Sequence, residues 1–356
     1  MSTQPVGTGK TGSFLAARTR LAHIQEAGLL GVIALLGIAL TVFGGSVFDP
    51  RAGHEVNNFF RTSNLLGGVA TPMSTYAIMA VGVTIVIIAG GIDISVGSVF
   101  ALAALGVVAA LQNLPAGATA ALTVPLAFIV ASGIGLSCGL LNGAIVVGLR
   151  MHPFIVTLGT MSIFRGLCNV LVRLKTLPSP GKSLPASFTE RFMAWEPFPG
   201  LLPAPMIVML VCVMLGWIYL SFLVAGRETY AVGGNEEAAR FSGLPVGRIK
   251  MRVYALSGLS AGLAGWVFAG YYQSASSDTG LGWELQVVAA AVVGGASLTG
   301  GRGTALGALL GTLVIKLIEN GIFIMRYDQQ FSTIIVGVAI IVAVAIDRLT
   351  EAVRTR

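Results

Sequence analysis

Charge is scarce in this chain: only 10% of its 356 residues are Asp, Glu, Lys or Arg, against about 25% in ordinary soluble domains. So few charges cannot clothe a chain that is 55% hydrophobic, and a water-soluble globular fold is excluded. The alternating ten-residue stretches of a membrane β-barrel are also missing. Instead the apolar runs are unbroken, as in AGLLGVIALLGIALTVF (27–43) and STIIVGVAIIVAVAI (332–346). Backbone groups in lipid must satisfy one another within the chain, so runs of this length read as membrane helices. Cysteine is rare too. Cys138, Cys168 and Cys212 lie inside apolar stretches without metal-ligand spacing, and read as small buried hydrophobes. His152 has no second histidine or cysteine nearby, so no metal site is expected.

The expected fold is an all-α integral membrane protein of about ten transmembrane helices. The segments are 27–48, 64–89, 95–112, 117–149, 154–172, 205–225, 253–272, 284–300, 303–322 and 331–347. Segment 117–149 is long for one crossing and is expected to tilt or break near Pro125. Segments 64–89 and 284–300 run into glycine-rich joints and are expected to be broken or re-entrant. The division is a polar N-terminal tail (1–26), a single transmembrane domain (27–347) and a C-terminal tail (348–356). The first apolar run is too long for the core of a signal peptide.

Basic residues set the orientation. With the N-terminus inside, 13 of the 22 Lys and Arg and six of the 15 Asp and Glu fall on cytoplasmic segments. The opposite side carries seven of each, and the spans hold Arg165, Lys316, Asp93 and Glu319. The whole formal charge of +7 thus lies on one face and calls for no nucleic-acid partner. Both termini and loop 226–252 are expected in the cytoplasm, and the proline-rich loop 173–204 outside.

One element occurs twice. VIIAGGIDISVGSVFAL (86–102) aligns with AVVGGASLTGGRGTAL (291–306) at an offset of 204, which sets Asp93 opposite Ser297 and Ser95 opposite Thr299. Paired glycine-interrupted segments point to an internal repeat with broken helices near a transport pathway. The candidate pathway or hinge residues are Gly90, Gly91, Asp93, Ser95, Gly97, Gly294, Gly295, Ser297 and Thr299. Asp93 has two readings: a cap or hinge for the next helix, or a direct part in the pathway. Gly135/Gly139/Gly143, Gly258/Gly262 and Gly303/Gly307/Gly311 have the spacing that lets helices approach closely in lipid. Lys316 and Glu319 are placed to pair at i, i+3.

GTGKTG (7–12) imitates a phosphate loop but lacks its first glycine and its preceding strand. ATP is not expected on this chain, nor is any other cofactor. Loop 226–258 contains NEEAARFSG, which reads as a short helix with Ala238 and Ala239 on one docking side, or as an ordinary basic linker. The outer loop carries Phe188, Phe192, Trp195 and Phe198, expected at the membrane interface or against an external protein. Tyr271, Tyr272, Gln273, Ser274, Ser276, Ser277, Asp278 and Trp283 are expected at the outer mouth, suited to a sugar or to an interfacial belt.

Five ordered stretches carry a family resemblance: GGIDISVGS, NGAIVVGLRMHPFIVTLGTMSIFRG, YAVGGNEEAARFSG, YALSGLSAGLAG and VVGGASLTGGRGT. Together, over roughly residues 60–347, they resemble the permease family of bacterial monosaccharide ABC importers, typified by the ribose permease, with relatives serving other sugars and autoinducer-2. The family joint commonly reads GGIDLSVG, and Ile94 stands in place of its leucine. The resemblance implies the ABC importer permease fold in the bacterial inner membrane, as a homo- or heterodimer. Its partners would be a cytoplasmic ABC ATPase, which holds ATP and Mg, and a periplasmic sugar-binding protein, which carries most of the selectivity. Gly234, Asn235, Glu236, Glu237, Ala238, Ala239, Arg240, Ser242 and Gly243 would form the coupling loop to the ATPase. The chain would then be a transport subunit and not an enzyme. The rival is an ion-coupled secondary sugar carrier, for which only Asp93 and Glu319 are available to hold a coupling ion.

Overall fold

A computed structural model describes residues 9–49, 53–172, 176–198 and 201–354. The remaining residues of the expected tails and outer loop, 1–8, 173–175, 199–200 and 355–356, lie outside the described residues. The fold is helical throughout: α1 Gly9–Phe43, α2 Thr71–Ile88, α3 Val96–Leu111, α4 Ala120–Gly148, α5 Pro153–Leu171, α6 Pro203–Ser221, α7 Val224–Gly234, α8 Glu236–Phe241, α9 Val246–Tyr272, α10 Trp283–Val293, α11 Ala305–Ile324 and α12 Gln330–Arg354. Two short antiparallel pairs accompany them: β1 Ser46–Asp49 with β2 His54–Asn57, and β3 Thr176–Leu177 with β4 Ala275–Ser276.

Each of the ten expected apolar segments coincides with a helix. Among the described residues, seven helical stretches are long and apolar enough to cross a membrane: Glu26–Phe43, Asn64–Ile88, Ala120–Gly148, Pro153–Leu171, Pro203–Ser221, Val246–Tyr272 and Ala305–Ile324. Val96–Leu111, Trp283–Val293 and Gln330–Ala339 are shorter. At 1.5 Å per residue α10 covers about 16 Å, roughly half of the hydrocarbon core. Of the two segments expected to be broken or re-entrant, 284–300 is helical only as far as Val293, whereas Asn64–Ile88 is helical without interruption and long enough to cross. Residues Asn64–Ala70 form a π-helix ahead of α2. Pro72 follows and cannot donate to the ladder, while the Thr71 N–H and hydroxyl both reach back to the Leu66 carbonyl.

α4 runs unbroken through Pro125. The proline sits near the helix start, where its missing N–H removes a single bond. α1 and α12 extend into the stretches expected as tails, where residues 9–26 and 348–354 contain no proline to stop them.

α2, α3 and α9 form the buried centre, whereas the Glu26–Phe43 stretch of α1 shows most of its surface. Apolar contact gives little drive for association in lipid, so close backbone packing has to supply it. The expected glycine spacing does this between α4 and α9. A β-carbon on Gly139 would overlap the Tyr254 carbonyl, and one on Gly258 would overlap that of Gly135. Gly307 and Gly311 fit α11 against Gly294 and Ala290 of α10 in the same way. Asn64 and Asn320, both buried, exchange hydrogen bonds of 3.1 and 2.8 Å between the π-helix and α11.

Lys316 and Glu319 pair at 2.7 Å. The Lys316 Nζ also lies 3.1 Å from the centroid of the Tyr76 ring, a cation–π contact that compensates a buried ammonium. Tyr76 stacks on Trp283, and Trp283 stacks on Phe100. Trp283 is therefore packed between rings and half-buried. The segment before it dips back into the bundle, because Gly280 rests on the Phe100 ring and Ser277 is buried. Arg165 of α5 holds this segment by donating to the Ser277 and Thr279 carbonyls at 2.8 and 2.7 Å. The outer-loop aromatics divide likewise: Phe188 is buried and Phe192 leans on Trp266, while Trp195 and Phe198 stay exposed.

Candidate functional site

The first joint begins where α2 ends. The Gly90 N–H donates to the Ile87 carbonyl and the Gly91 N–H to that of Val86, with Gly90 left-handed at φ +79. This is a Schellman exit, which requires a residue that tolerates positive φ. Asp93 then turns the chain into α3. Its Oδ1 accepts from the Ser95 N–H at 3.0 Å and the Ser95 hydroxyl at 2.7 Å, and its Oδ2 accepts from the Ser257 hydroxyl of α9 at 2.7 Å. Asn142 of α4 donates to the Ser95 Oγ at 2.8 Å. Asp93 is 1% exposed and both its oxygens accept hydrogen bonds, an arrangement that fixes the joint to α9 directly and to α4 through Ser95. The α3 N-cap itself is Ser95, so Asp93 makes the turn before the helix.

The second joint repeats the exit in a different register. The Gly295 N–H donates to the Val292 carbonyl and the Ala296 N–H to that of Ala291, with Gly295 at φ +92. Gly295 thus matches Gly90, an offset of 205 where the letters align at 204. Asp93 falls opposite Leu298 and Ser95 opposite Gly300, which corrects the expected pairings with Ser297 and Thr299. The second joint is also four residues longer, since α3 starts six residues after Gly90 and α11 ten after Gly295. Ser297 and Thr299 pair hydroxyl to hydroxyl at 2.9 Å. Thr304 caps α11 by accepting from the Gly307 N–H at 2.8 Å.

The loop between α6 and α9 folds into α7 and α8. Asn235 caps α8 by accepting from the Ala238 N–H at 2.9 Å. Glu236 pairs with Lys250 of α9 at 2.7 Å and with Arg240 at 3.0 Å. Gly243 ends the helix left-handed at φ +82. Ala239 is buried with Val232, Val246 and Ile249, whereas Glu237, Ala238, Arg240 and Ser242 are exposed. The expected docking side shared by Ala238 and Ala239 does not exist, because Ala239 faces α9. Phe241, absent from the sequence-based site, is instead 88% exposed. The available signal was an aromatic residue in a short polar helix with only Glu237 at i−4 and the small Ala238 at i−3 on its own face.

The structure brings these pieces together. Gly90 of the first joint, Gly300 and Gly301 of the second, and Gly233 and Gly234 at the end of α7 meet backbone to backbone. The Gly301 N–H donates to the Ile88 carbonyl at 2.9 Å, and the Tyr230 hydroxyl to that of Gly303 at 2.7 Å. Gly97 is apart from this meeting point, under Gly280 of the inward-dipping segment and Glu284 of α10. Among the described residues no group of three His, Cys, Asp or Glu could hold a metal.

Comparison with known proteins places this architecture. The protein-family description "Branched-chain amino acid transport system / permease component" matches residues 65–344. The chain is 35% identical over 318 residues to the ribose import permease protein of Bacillus subtilis, covering 89% of this chain and 92% of that one. It is 36% identical over 328 residues to the ribose import permease protein of Escherichia coli, covering 91% and 94%. The autoinducer 2 import system permease protein of Escherichia coli is 30% identical over 319 residues, covering 88% and 90%. No solved structure matches significantly. With multiple apolar helices, two broken joints and a family match over most of its length, this chain is a multi-pass membrane protein that belongs to the bacterial ABC import permease family of the ribose permeases.

Proposed function

We propose that this chain is the solute-conducting subunit of an ATP-driven importer for a monosaccharide or similar small polyol-like solute. It would work as a dimer, with α8 docked in a cytoplasmic ATPase and the opposite end receiving solute from a periplasmic binding protein. ATP and Mg belong to the ATPase in this reading. The observation that carries it is the exposed face of α8, where Phe241 projects from a helix pinned at both ends by Asn235 and Gly243. An aromatic side chain presented in this way is what a partner's groove takes up as an anchor. The excess of basic residues on loop 226–252 supports a cytoplasmic position for this end and for both termini. ATP-driven movement of α8 would switch the bundle between inward- and outward-facing states. An ion-coupled carrier finds less support. Asp93 already accepts three hydrogen bonds and Glu319 is paired with Lys316.

A photoreactive phenylalanine analogue at position 241 tests the docking. Cross-linking to the ATPase encoded beside this chain is expected from position 241 and not from position 281, at the other end of α9. Cross-linking from position 281 alone would reverse the assignment. Within α8, Ala238→Arg is expected to weaken ATPase binding about tenfold or more, the scale of a truncated anchor contact, with the protein's thermal midpoint unchanged. Ala239→Arg forces a charge into the contact with Val232 and Ile249 and is expected to lower that midpoint.

A further inference from the structure

We infer that Gly233 is the contact through which movement of α8 reaches both broken joints together, with Tyr230 as its partner on α7. The inference rests on the reading of α8 as the ATPase-docking helix. α8 follows α7 after the single extended residue Asn235 and packs back on it through Ala239 and Val232, and α7 ends where the two joints cross. No side chain separates the three backbones there. A β-carbon on Gly233 would overlap the Ile88 carbonyl oxygen and lie 2.8 Å from the Gly301 nitrogen. One on Gly300 would lie 3.1 Å from both the Gly233 carbonyl carbon and the Gly90 Cα. One turn earlier, the Tyr230 hydroxyl bonds the second joint at Gly303. The Gly301–Ile88 hydrogen bond then ties the second joint to the last turn of α2.

The competing route runs from α8 directly into α9. It consists of the Glu236–Lys250 ion pair, whose side chains are 42% and 21% exposed, and of the small contact made by Ala239. An ion pair with that much exposure is screened by solvent and yields readily. Close-packed backbone has low compressibility and passes a displacement on. α7 therefore connects α8 to the joints rigidly, and Gly233 is a positioning residue for the transport cycle.

The test uses the complete transporter in proteoliposomes, with permease, ATPase and binding protein, and whichever sugar of a radiolabelled aldose panel the wild type takes up. The readout is sugar imported per ATP hydrolysed. Gly233→Ala is expected to lower this ratio by about tenfold or more, within the range of coupling energies between linked sites, while ATPase co-purification is retained. Tyr230→Phe keeps the ring and removes one neutral hydrogen bond, so a fall of roughly threefold is expected. Gly148→Ala in α4, whose β-carbon meets nothing within 4 Å, is expected to match wild type. Wild-type ratios in both Gly233→Ala and Tyr230→Phe would overturn the inference, as would an equal fall in Gly148→Ala. Loss of ATPase binding by both variants would also overturn it, by assigning the contact to assembly. If Gly233→Ala alone does not assemble, the ratio for Tyr230→Phe decides. Absence of ATP-dependent uptake in the wild type would instead defeat the underlying reading of α8.

Discussion

Phe241→Asp abolishes ATP-driven uptake while the protein remains folded in the membrane; this is the largest effect expected of any single change at the surface. The side chain is 88% exposed, so its removal costs the fold almost nothing. In a docked complex the same position would lose an aromatic anchor and bury a carboxylate without a partner. Anchors of this kind are worth about 2–4 kcal/mol or more, and an unpaired buried charge adds to the loss. The ATPase should then fail to co-purify. Phe241→Leu, which keeps an apolar knob, should retain a measurable fraction of uptake. Undiminished uptake by Phe241→Asp would show that α8 docks through another face.

Asp93 gives the second large effect, and the choice of substitution separates its two readings. Asp93→Ala leaves the Ser95 N–H, the Ser95 hydroxyl and the Ser257 hydroxyl without their acceptor inside a closely packed body. Each unsatisfied donor costs about 1–3 kcal/mol, so folded protein should be largely lost. Asp93→Asn keeps one oxygen for Ser95 and offers an amide N–H to the Ser257 oxygen, whose hydroxyl can rotate to accept. It should fold and import within a few-fold of wild type, as measured by detergent-extracted yield and by uptake. A folded Asp93→Asn protein without uptake would assign the carboxylate a direct part in the pathway.

The helices were legible because unbroken apolar runs in lipid admit few alternatives, and every expected segment holds a helix. Lengths were less legible. Hydropathy carried the eighth segment to residue 300, but α10 stops at Val293 because Gly294 and Gly295 provide the exit. The repeat offset failed by one for a related reason. Matching the letters aligns Gly90 with Gly294, yet only the left-handed residue makes the exit, and that is Gly295. Gly294 is there so that the Gly307 carbonyl can approach. The pairing of Lys316 with Glu319 followed from helical spacing, whereas the Tyr76 ring beneath Lys316, far away in sequence, did not. α8 has six residues, too few to show periodicity. Which of Ala238, Ala239 and Phe241 faces outward depended on where α9 passes.

Uptake by purified components tests the central claim most directly. Proteoliposomes containing this chain are loaded with ATP on the ATPase side and offered a radiolabelled monosaccharide panel. Accumulation of one sugar only when the partner ATPase, the binding protein and hydrolysable ATP are all present is the predicted result. Accumulation by this chain alone, following a proton or sodium gradient and indifferent to ATP, would contradict it.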